Sequence, residues 1–455
     1  MTTCLFIFRR DYRIIDNNGL NYAMNKFDKV IPIFIFTPEQ TKNNKYFSDN
    51  CFQFLIESLK ELDKELKKNK SKLHIFQGDN VLVLKKIIKK IDVTDIVYNM
   101  DYTPYARKRD KQIQKFCKKE KINCHEIEDY LISKIGELNK KDGNPYTVFT
   151  PFRNNGLKYK VEKPKSKKIK NLKKVNLTEQ GFLKYEKNDN ILYNGGRKNG
   201  LKMLNKLKNH IKYDDNRNTL SLTTTHLSAY IKFGCISIRE AYWKIRDLFG
   251  SKHGLLSQLF WREFYYYITY YFPHTLQGKN YNSKYDKIKW ETSKTNFKKW
   301  CEGKTGFPVV DAGMIEMNTT GYMHNRSRLI TANFLNRMLG YHWTVGEKYY
   351  AQTLFDYDPA VNNGNWQWIA STGTDPKPYF QRLFNPMLQS KKFDVEAEYI
   401  KKWLPQLKDI PAKELHNWAD YCNNYDLKKI NYVKPIINYK EARQRSVNMY
   451  RKVLK

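Results

Sequence analysis

The chain has 455 residues, more than a single domain of roughly 100–200 residues holds, so two domains are expected. No run approaches the ~20 apolar residues of a membrane span, and the charges of "MTTCLFIFRRDYR" follow its apolar stretch, the reverse of a signal peptide. With 82 Lys and Arg against 46 Asp and Glu, the formal net charge is +36, which predicts a polyanionic partner, most simply nucleic acid. The alternative is a lysine-rich composition that only solvates the surface.

The seven cysteines are scattered, and no two form a C-x-x-C pair. An odd number without such spacing favours neither a disulfide framework nor a zinc site, so no bound metal is expected. The composition is typical of a soluble protein in a reducing, intracellular compartment.

Short apolar runs alternate with amphipathic ones in the first part of the chain. Four of these runs are predicted to form buried strands: residues 4–8, 30–36, 72–76 and 95–100. Two segments carry helical periodicity: residues 51–68 and 105–120. The alternation predicts a Rossmann-like parallel sheet covered by helices on both faces, an α/β domain over about residues 1–130.

A lysine-rich segment separates this domain from the rest. Nine lysines between Lys158 and Lys174 stand with one acid, Glu162, giving the window a net charge of +8. Pro164 and the absence of an apolar rhythm predict a basic linker over residues 131–199. Beyond it lie all nine tryptophans, and apolar spacing of three to four residues predicts an all-α domain over residues 200–455.

Two stretches of the second half combine polar and aromatic chemistry. "SLTTTHLSAYIKFG" (221–234) places three threonines and a histidine before an apolar helix, where free N–H groups and hydroxyls suit a diphosphate. An ordinary N-cap is the alternative explanation. "VNNGNWQWIASTGTD" (361–375) surrounds Trp366 and Trp368 with residues too polar for an ordinary core segment.

Five motifs follow one another along nearly the whole chain. They are "LFIFRRDYRIIDNNGL" (5–20), "LFWREFYYY" (259–267), "GYMHNRSRLITANFL" (321–335), "TLFDYDPAVNNGNWQWIASTGTDPKPYFQRLFNP" (353–386) and "KKFDVEAEYIKKWLPQL" (391–407). In this order the sequence closely resembles the DNA photolyase and cryptochrome family. The helical half is nearest to photolyases of the cyclobutane pyrimidine dimer class I.

The resemblance implies a U-shaped FAD in the helical domain, with the tryptophan-bearing stretch as the floor of its pocket. The FAD contacts carried over by motif are Tyr213, Thr224, Thr225, His226, Leu227, Ser228, Arg328, Asp356, Asp358 and Asn362. Arg328 would pair with Asp356, and Asn362 would approach flavin N5, where an amide can donate or accept. A purely structural ion pair is the alternative for Arg328 and Asp356.

The resemblance also implies an electron-transfer chain of three tryptophans, Trp366, Trp343 and Trp290. An indole can lose an electron and pass the vacancy to the next ring, so the chemistry needs aromatic rings at close intervals. Without the family pattern, core packing would explain these residues better. Because tryptophan fills all three positions, photoreduction of the flavin is expected.

On the substrate side, the family flips the damaged bases out of the DNA into a cavity beside the flavin. Trp261 and Trp368 would form its aromatic walls, and Arg217 and Arg326 would hold the flanking phosphates. The catalytic set implied by the motifs is Gln258, Asn325 and Trp368. The DNA-binding set is Arg217, Gln258, Trp261, Asn325, Arg326, Leu329, Trp368 and Gln389.

Two substrate positions depart from the dimer-repair pattern. Gln258 replaces an acid, as in (6-4) photolyases and animal cryptochromes, and Leu329 replaces a methionine. The (6-4) branch needs a histidine pair where this chain has Asn325 and Leu329, so its proton-transfer groups are missing. An amide at position 258 can still donate to a pyrimidine carbonyl, and leucine keeps the volume of methionine. Dimer repair is therefore the favoured prediction.

Residues 98–110 lie where the resemblance places the contact of the family's antenna domain with a second chromophore, so such a chromophore is possible here. The Asn-Glu pair of folate-binding family members is replaced there by Tyr105 and Ala106, which leaves a deazaflavin, a flavin or an empty pocket open.

The predicted activity is a light-driven lyase reaction: photoexcited reduced FAD passes an electron to a pyrimidine dimer, the cyclobutane ring splits, and the electron returns. The partner is double-stranded or single-stranded DNA with UV-induced dimers, and a monomer without membrane contact is expected. The alternatives are a (6-4) photolyase and a cryptochrome photoreceptor. Cryptochromes usually carry a long C-terminal tail, whereas this chain stops at Lys455 soon after the last family motif, which favours repair.

Overall fold

The computed structural model describes residues 1–42, 44–165, 168–374 and 378–454. The chain divides into two compact units. The first comprises Met1–Lys187, Tyr193–Ile211 and Thr225–Pro273, and the second comprises Asn188–Leu192, Lys212–Thr224 and His274–Lys455. The domain limits inferred from the sequence, at residues 130 and 199, stay a prediction. In the described part, no helix is both long and apolar enough to cross a bilayer.

A five-stranded parallel sheet forms the centre of the first unit. Its strands are β1 (Thr3–Ile7), β2 (Lys29–Phe36), β3 (His74–Gln77), β4 (Asp95–Asn99) and β5 (Asn123–Ile127), in the order β3-β2-β1-β4-β5. The inward residues Leu5, Ile31 and Ile96 are fully buried. Helices cover a sheet of this order on both faces, and ligands of such folds bind at the carboxyl ends of the strands where the order reverses, here β1 and β4.

The four predicted strands are confirmed, and the fifth was not predicted. β5 reads "NCHEI", and all five of its side chains are exposed or only partly buried, whereas β3, at the opposite edge of the sheet, is buried over its first three residues. An exposed strand lacks the continuous apolar run that marks the buried strands of a parallel sheet. The predicted fold class, a Rossmann-like α/β sheet followed by a larger helical part, is confirmed.

The helices of the first unit surround this sheet and continue beyond it. They are α1 (Asn18–Lys26), α2 (Pro38–Thr41), α3 (Asp49–Lys68), α4 (Asn80–Ile88), α5 (Pro104–Lys119), α6 (Phe149–Gly156), α7 (Arg197–Asn205), α9 (Ser228–Lys232), α10 (Ile238–Phe249) and α11 (Gly254–Tyr271). The described residues between Lys158 and Lys174 form no helix, and Leu172 makes an isolated parallel bridge to Val30. Ser166 and Lys167 of that segment lie outside the described residues.

A buried ionic network ties the loops after β1 and β5 to α10. The guanidinium of Arg239 lies 2.7 Å from Asp129 and 2.9 Å from Asp16, and Arg13 pairs with Asp129. Burial alone would raise the pKa of Asp129, but the two guanidinium groups outweigh it and lower that pKa to about 2. The carboxylate of Asp129 is therefore ionised at neutral pH, as a buried partner of two cations must be.

The described residues of the second unit form helices joined by loops, without a β-strand. Its α-helices are α8 (Tyr213–Asn216), α12 (Lys294–Cys301), α13 (Pro308–Thr320), α14 (Asn325–Asn333), α15 (Trp343–Thr353), α16 (Pro359–Ile369), α17 (Pro386–Phe393), α18 (Glu398–Trp403), α19 (Ala412–His416), α20 (Trp418–Tyr421) and α21 (Tyr439–Leu454). A π-helical turn, Phe334–Met338, continues α14. One apolar core joins these helices, and its largest buried side chains are Trp300, Trp343, Trp366 and Trp418.

Candidate functional site

The helix α16 carries three of the predicted site residues. It begins after Asp358, whose side chain accepts hydrogen bonds from two backbone N–H groups at 3.1 and 3.2 Å, and Pro359 fills its first position. Asn362 follows one turn later and donates to the backbone oxygen of Glu347 (3.1 Å).

Trp366 and Trp368 point to different sides of α16. Each residue turns an α-helix by about 100°, so positions two apart face nearly opposite directions. Trp366 is 2% exposed and belongs to the core, whereas Trp368 is only partly buried at the edge of that core. This single helix therefore joins the protein interior to its surface.

Arg328 and Asp356 form the ion pair that the motif predicts. One guanidinium nitrogen lies 3.0 Å from each carboxylate oxygen, and Nε donates to the backbone oxygen of Met323 (2.9 Å). The guanidinium also lies 5.1 Å from the ring centre of Tyr322. Burial opposes the charge of Arg328, but the charge of Asp356 outweighs it, and the pKa of Arg328 is raised. The pair therefore presents a fixed carboxylate on a cationic support.

The threonine-rich stretch does not cap the helix that follows it. The helix α9 begins at Ser228 after Leu227, without a side-chain cap, so the ordinary N-cap explanation is wrong for Thr224 and Thr225. In the second unit, the hydroxyls of Thr224 and Tyr322 lie 3.4 Å apart.

The rest of this stretch belongs to the first unit. His226 has a left-handed backbone (φ 50°), and its ring lies 4.9 Å from that of Tyr193. Leu227 is buried and Ser228 is exposed. Tyr213, at the start of α8 in the second unit, is partly buried, and burial raises its pKa.

A group that we call the tryptophan core consists of Trp300, Trp343, Trp366 and Tyr350. The ring of Trp366 lies 4.9 Å from Tyr350 and 6.4 Å from Trp300, and Trp300 stacks on Tyr350 at 6.1 Å. Gly346 makes room for this packing, because a Cβ there would lie 2.2 Å from the indole of Trp366. The indole nitrogen of Trp366 is buried without a hydrogen-bond partner among the described residues.

The other two predicted electron-transfer residues lie on either side of one histidine. The indole N–H of Trp343 donates to Asn280 (2.8 Å), and its ring centre lies 5.3 Å from that of His342. The ring of Trp290 is also 5.3 Å from His342, in an edge-to-face arrangement. Trp343 is fully buried and Trp290 is partly exposed, so this series runs from the interior to the surface.

A second group, the solvent-facing set, consists of Arg217, Asn325, Arg326, Trp368 and Gln389. Asn325 is exposed at the first position of α14, and Leu329 lies one turn further, against the core. Arg382 places its guanidinium 4.0 Å from the ring centre of Trp368 and donates to its backbone oxygen. Gln389 lies on α17, and its Oε1 is buried without a hydrogen-bond partner in the described part of the chain.

Arg326 is held by a neutral amide and an aromatic ring, neither of which neutralises its charge. Its guanidinium donates to the amide oxygen of Asn218 (2.6 and 3.2 Å) and lies 4.4 Å from the ring centre of Phe393. Burial and the neighbouring charge of Arg217 lower the pKa of Arg326. Two neighbouring cations with no ion pair to an acid among the described residues suit successive phosphate groups.

The helix α11 of the first unit carries Gln258 and Trp261. Both are partly exposed, and residues three apart lie on the same face of a helix. Phe149 stacks on Trp261 with ring centres 3.5 Å apart and planes at 9°. One face of this indole is therefore occupied by the protein itself, and a ligand could stack only on the other.

The predicted antenna residues lie at the start of α5. The hydroxyls of Tyr105 and Thr37 are 2.8 Å apart, and Ala106 is fully buried. Nearby, at the carboxyl end of β4, the hydroxyl of Tyr102 is buried without a hydrogen-bond partner among the described residues.

Sequence reasoning missed several residues that support the site. Gly346, Tyr350, His342, Asn218 and Arg382 contact predicted residues directly, but the sequence suggested a role for none of them, although Arg382 lies within the motif at 353–386. The glycine and the aromatic residues become visible only when the packing is known. The two polar residues could have been found as neighbours of Arg217 and Trp368 in polar, aromatic-rich stretches.

Comparison with known proteins agrees with these motifs. Residues 4–169 match the family described as DNA photolyase, and residues 255–452 match the FAD binding domain of DNA photolyase. The deoxyribodipyrimidine photo-lyase of Escherichia coli is 33% identical over 99% of this chain and 98% of its own length. That of Buchnera aphidicola from Baizongia pistaciae is 32% identical over 99% and 98% of the two chains.

Solved structures give the same result. The archaeal photolyase of Sulfolobus tokodaii, described with two FAD molecules, is 39% identical, with a TM-score of 0.89 over 99% of this chain and 100% of that one. A cryptochrome of Synechocystis has a TM-score of 0.88 over 99% of both chains at 24% identity, a likeness in fold. From the full-length matches to curated relatives, this chain belongs to the DNA photolyase family.

Proposed function

We propose that this protein is a deoxyribodipyrimidine photo-lyase that binds FAD and splits cyclobutane pyrimidine dimers in DNA under light. The observation that carries the proposal is the helix α16. It places Trp366 in the buried tryptophan core and Trp368 near the surface, two residues apart on nearly opposite sides of one helix. A repair enzyme of this type needs such a link between an internal electron donor and an external lesion.

The chain's own groups suit a flavin. The buried indole nitrogen of Trp366 has no partner among the described residues, and an unpaired buried donor costs about 1–3 kcal/mol, which a bound cofactor can offset. Asn362 offers an amide next to the same core, and Arg328 fixes the carboxylate of Asp356 where it can accept a sugar hydroxyl.

The remaining contacts would hold the other parts of the cofactor. The phosphates and ribityl chain would be contacted by Tyr213, Thr224, Thr225, His226, Leu227 and Ser228, with Asp358 at the start of α16. FAD, when bound and reduced, supplies the light-driven electron. The protein's part is to exclude water from this region and to keep the tryptophan series Trp366, Trp343 and Trp290 in fixed packing.

The solvent-facing set would bind the substrate. Arg217 and Arg326 would take phosphates flanking the lesion, while Trp368 and the free face of Trp261 would stack on the flipped bases. Gln258 and Asn325 are neutral donors that can hold pyrimidine carbonyl oxygens. The protein would act as a monomer on dimers in double-stranded or single-stranded DNA.

A second chromophore of the flavin type fits the first unit better than a folate. The folate-type Asn-Glu pair is absent, and Ala106 is fully buried and offers no polar group. The Tyr102 hydroxyl, which has no hydrogen-bond partner in the described part of the chain, lies at the strand ends where folds of this order bind ligands. The relative from Sulfolobus tokodaii is described with two FAD molecules. We expect denaturation to release two flavins per chain and no pterin.

The deciding experiment is a repair assay with defined lesions. Pre-reduced protein is illuminated with oligonucleotides that carry either a thymine dimer or a (6-4) photoproduct, and products are separated by chromatography. Restoration of the dimer alone is expected. Repair of the (6-4) lesion would favour that branch of the family, and binding of damaged DNA without any repair would favour a cryptochrome.

A further inference from the structure

The last tryptophan of the series lies four residues before the first lysine of a surface cluster. A surface cavity of about 650 Å³ in the second unit is lined by five lysines, one acid and the apolar side chains of Val433 and Ile436. We define the lysine cluster as Lys294, Lys298, Lys299, Lys304 and Lys434. All five are exposed, and the one acid among the described lining residues, Glu302, lies 3.2 Å from Lys304 and 3.8 Å from Lys298.

This cluster is close to Trp290 for a simple reason of chain geometry. Four residues of fully extended chain span at most about 14 Å, so the Cα atoms of Trp290 and Lys294 cannot be further apart. Two contacts hold the intervening segment in place. The backbone of Glu291 forms an isolated β-bridge with that of Tyr341, and the hydroxyl of Tyr341 donates to the backbone oxygen of Ser293.

The chain segment around Trp290 carries a net positive charge. Between residues 284 and 304, seven lysines stand against three acids, a net charge of +4. One of those acids, Glu291, accepts hydrogen bonds from the backbone N–H of Thr292 and Ser293 (both 2.8 Å). These two hydrogen bonds partly neutralise the carboxylate of Glu291, whereas the lysines of the cluster are exposed to solvent.

We propose that the lysine cluster recruits a small organic anion that donates one electron to oxidised Trp290. The inference rests on the electron-transfer role given to Trp290 under Proposed function. In the step, the anion loses one electron and becomes a radical, and the indole cation radical of Trp290 regains its electron; no atom is transferred. A cleft lined by one sign of charge raises the local concentration of the opposite ion and the rate of its encounters.

The cavity fits such a donor better than a long polyanion. Its volume suits a molecule of drug-like size, and the apolar side chains of Val433 and Ile436 offer a surface for a carbon ring. The expected class is therefore an enediolate or similar conjugated anion, for which ascorbate is the probe.

The first test needs no flavin. Iodide, caesium and acrylamide quench tryptophan fluorescence as anion, cation and neutral molecule, and comparison with Trp290→Phe isolates the signal of Trp290. In Lys294→Glu/Lys298→Glu/Lys299→Glu, iodide quenching of Trp290 is expected to fall about tenfold at low ionic strength, with acrylamide quenching unchanged. The difference should fade in 0.5 M salt, where screening acts within a few ångströms.

The matched control carries the same change in net charge elsewhere. Arg107, Lys108, Lys111 and Lys115 line a different basic cavity, of about 500 Å³, in the first unit. Lys108→Glu/Lys111→Glu/Lys115→Glu should leave iodide quenching of Trp290 unchanged. An equal fall in both triple variants would mean that only total charge matters, and no fall in either would remove the cluster from the mechanism; both results overturn the proposal.

The second test uses the flavin-loaded protein. After a light flash, decay of the tryptophan radical absorbance should slow for ascorbate in the triple variant of the lysine cluster and stay unchanged for neutral hydroquinone. Equal slowing for both donors would contradict charge recruitment. If Trp290→Phe photoreduces at the full rate, the electron-transfer role of Trp290 is wrong. The iodide experiment would still show independently whether the lysine cluster attracts anions to Trp290. Lys→Gln variants at the same three positions guard against a folding defect.

Discussion

The tryptophan core and the solvent-facing set follow different rules of construction. In the core, the ring of Trp366 packs against Tyr350 and Trp300. It also lies against Gly346, where one added methyl group would collide with the indole. In the solvent-facing set, Asn325 is exposed and Trp368 only partly buried. Close packing fixes the first region by volume, whereas the second is fixed by charge and hydrogen bonding. Departures from the family pattern accordingly fall on partly exposed positions, Gln258 and Leu329.

The largest effect is expected from Trp366→Phe. Loss of the indole next to the flavin site should reduce photoreduction of bound oxidised FAD to the slow background of direct reduction by solvent donors. The rate is measured as bleaching of flavin absorbance under blue light.

The control is Trp418→Phe, another buried indole of the same unit, which donates to the backbone oxygen of Val433. It removes a similar volume and should photoreduce normally. Full-rate photoreduction in Trp366→Phe would show that a different route feeds the flavin.

Gly346→Ala tests whether overfilling the tryptophan core disturbs both stability and photoreduction. The added Cβ would stand 2.2 Å from Trp366 and 2.5 Å from Leu335, so the indole must shift. Overpacking of this kind costs about 1–3 kcal/mol of unfolding free energy, measured by urea denaturation. Photoreduction should slow as well, because the ring positions change.

Gly313→Ala provides the comparison. Its Cβ would meet the Ser327 hydroxyl at 2.1 Å, an equally close contact without Trp366. It should lose stability and keep the photoreduction rate. The same slowing in both variants would mean that general destabilisation, and not the position of Trp366, controls electron transfer.

The contrast between the two regions also explains what the sequence could reveal about the fold. Residues 4–8, 30–36 and 95–100 were identifiable because central strands of a parallel sheet are apolar along their whole length, and residues 72–76 because β3 is buried over its first three residues although it lies at an edge. β5, at the other edge, was not identifiable, since all five of its side chains are exposed or only partly buried and most of them are polar. The buried network of Asp129 with Arg13 and Arg239 was also invisible, because it joins residues more than 100 positions apart.

The site divides in the same way. The pairing of Arg328 with Asp356 follows from the motifs, and the structure confirms this contact. The cap that Asp358 provides to α16 was not predicted. The support of Arg326 by Asn218 and the cover on Trp261 by Phe149 depend on tertiary packing. No periodicity or spacing in the chain encodes such contacts, so they could not be predicted.

Arg326→Ala tests the charge rule of the solvent-facing set. If Arg326 takes one phosphate, its removal should weaken binding to damaged and undamaged DNA alike and reduce the slope of log K against log salt by about 1. Fluorescence anisotropy at several salt concentrations measures both. Lys108→Ala, an exposed cation on α5 of the first unit, should leave the slope unchanged. A loss of affinity without a change in slope would point to a base contact instead of a phosphate contact.

The smallest effect is expected at the position that departs most from the dimer-repair pattern. Gln258 is partly exposed on α11, and splitting a cyclobutane ring asks of it only a hydrogen bond to a pyrimidine carbonyl, which an amide can donate. Reversal of a (6-4) adduct also needs a delivered proton, and neither Asn325 nor Leu329 can deliver one. Gln258→Glu should therefore keep or modestly raise the quantum yield of thymine-dimer repair and leave (6-4) photoproducts untouched. Gln381→Glu adds the same charge at an exposed position of the second unit to which no DNA contact is assigned, and it serves as the control for simple repulsion of DNA. A large loss of dimer repair in Gln258→Glu alone would show that this position demands an amide, and that the substrate side is as restrictive as the tryptophan core.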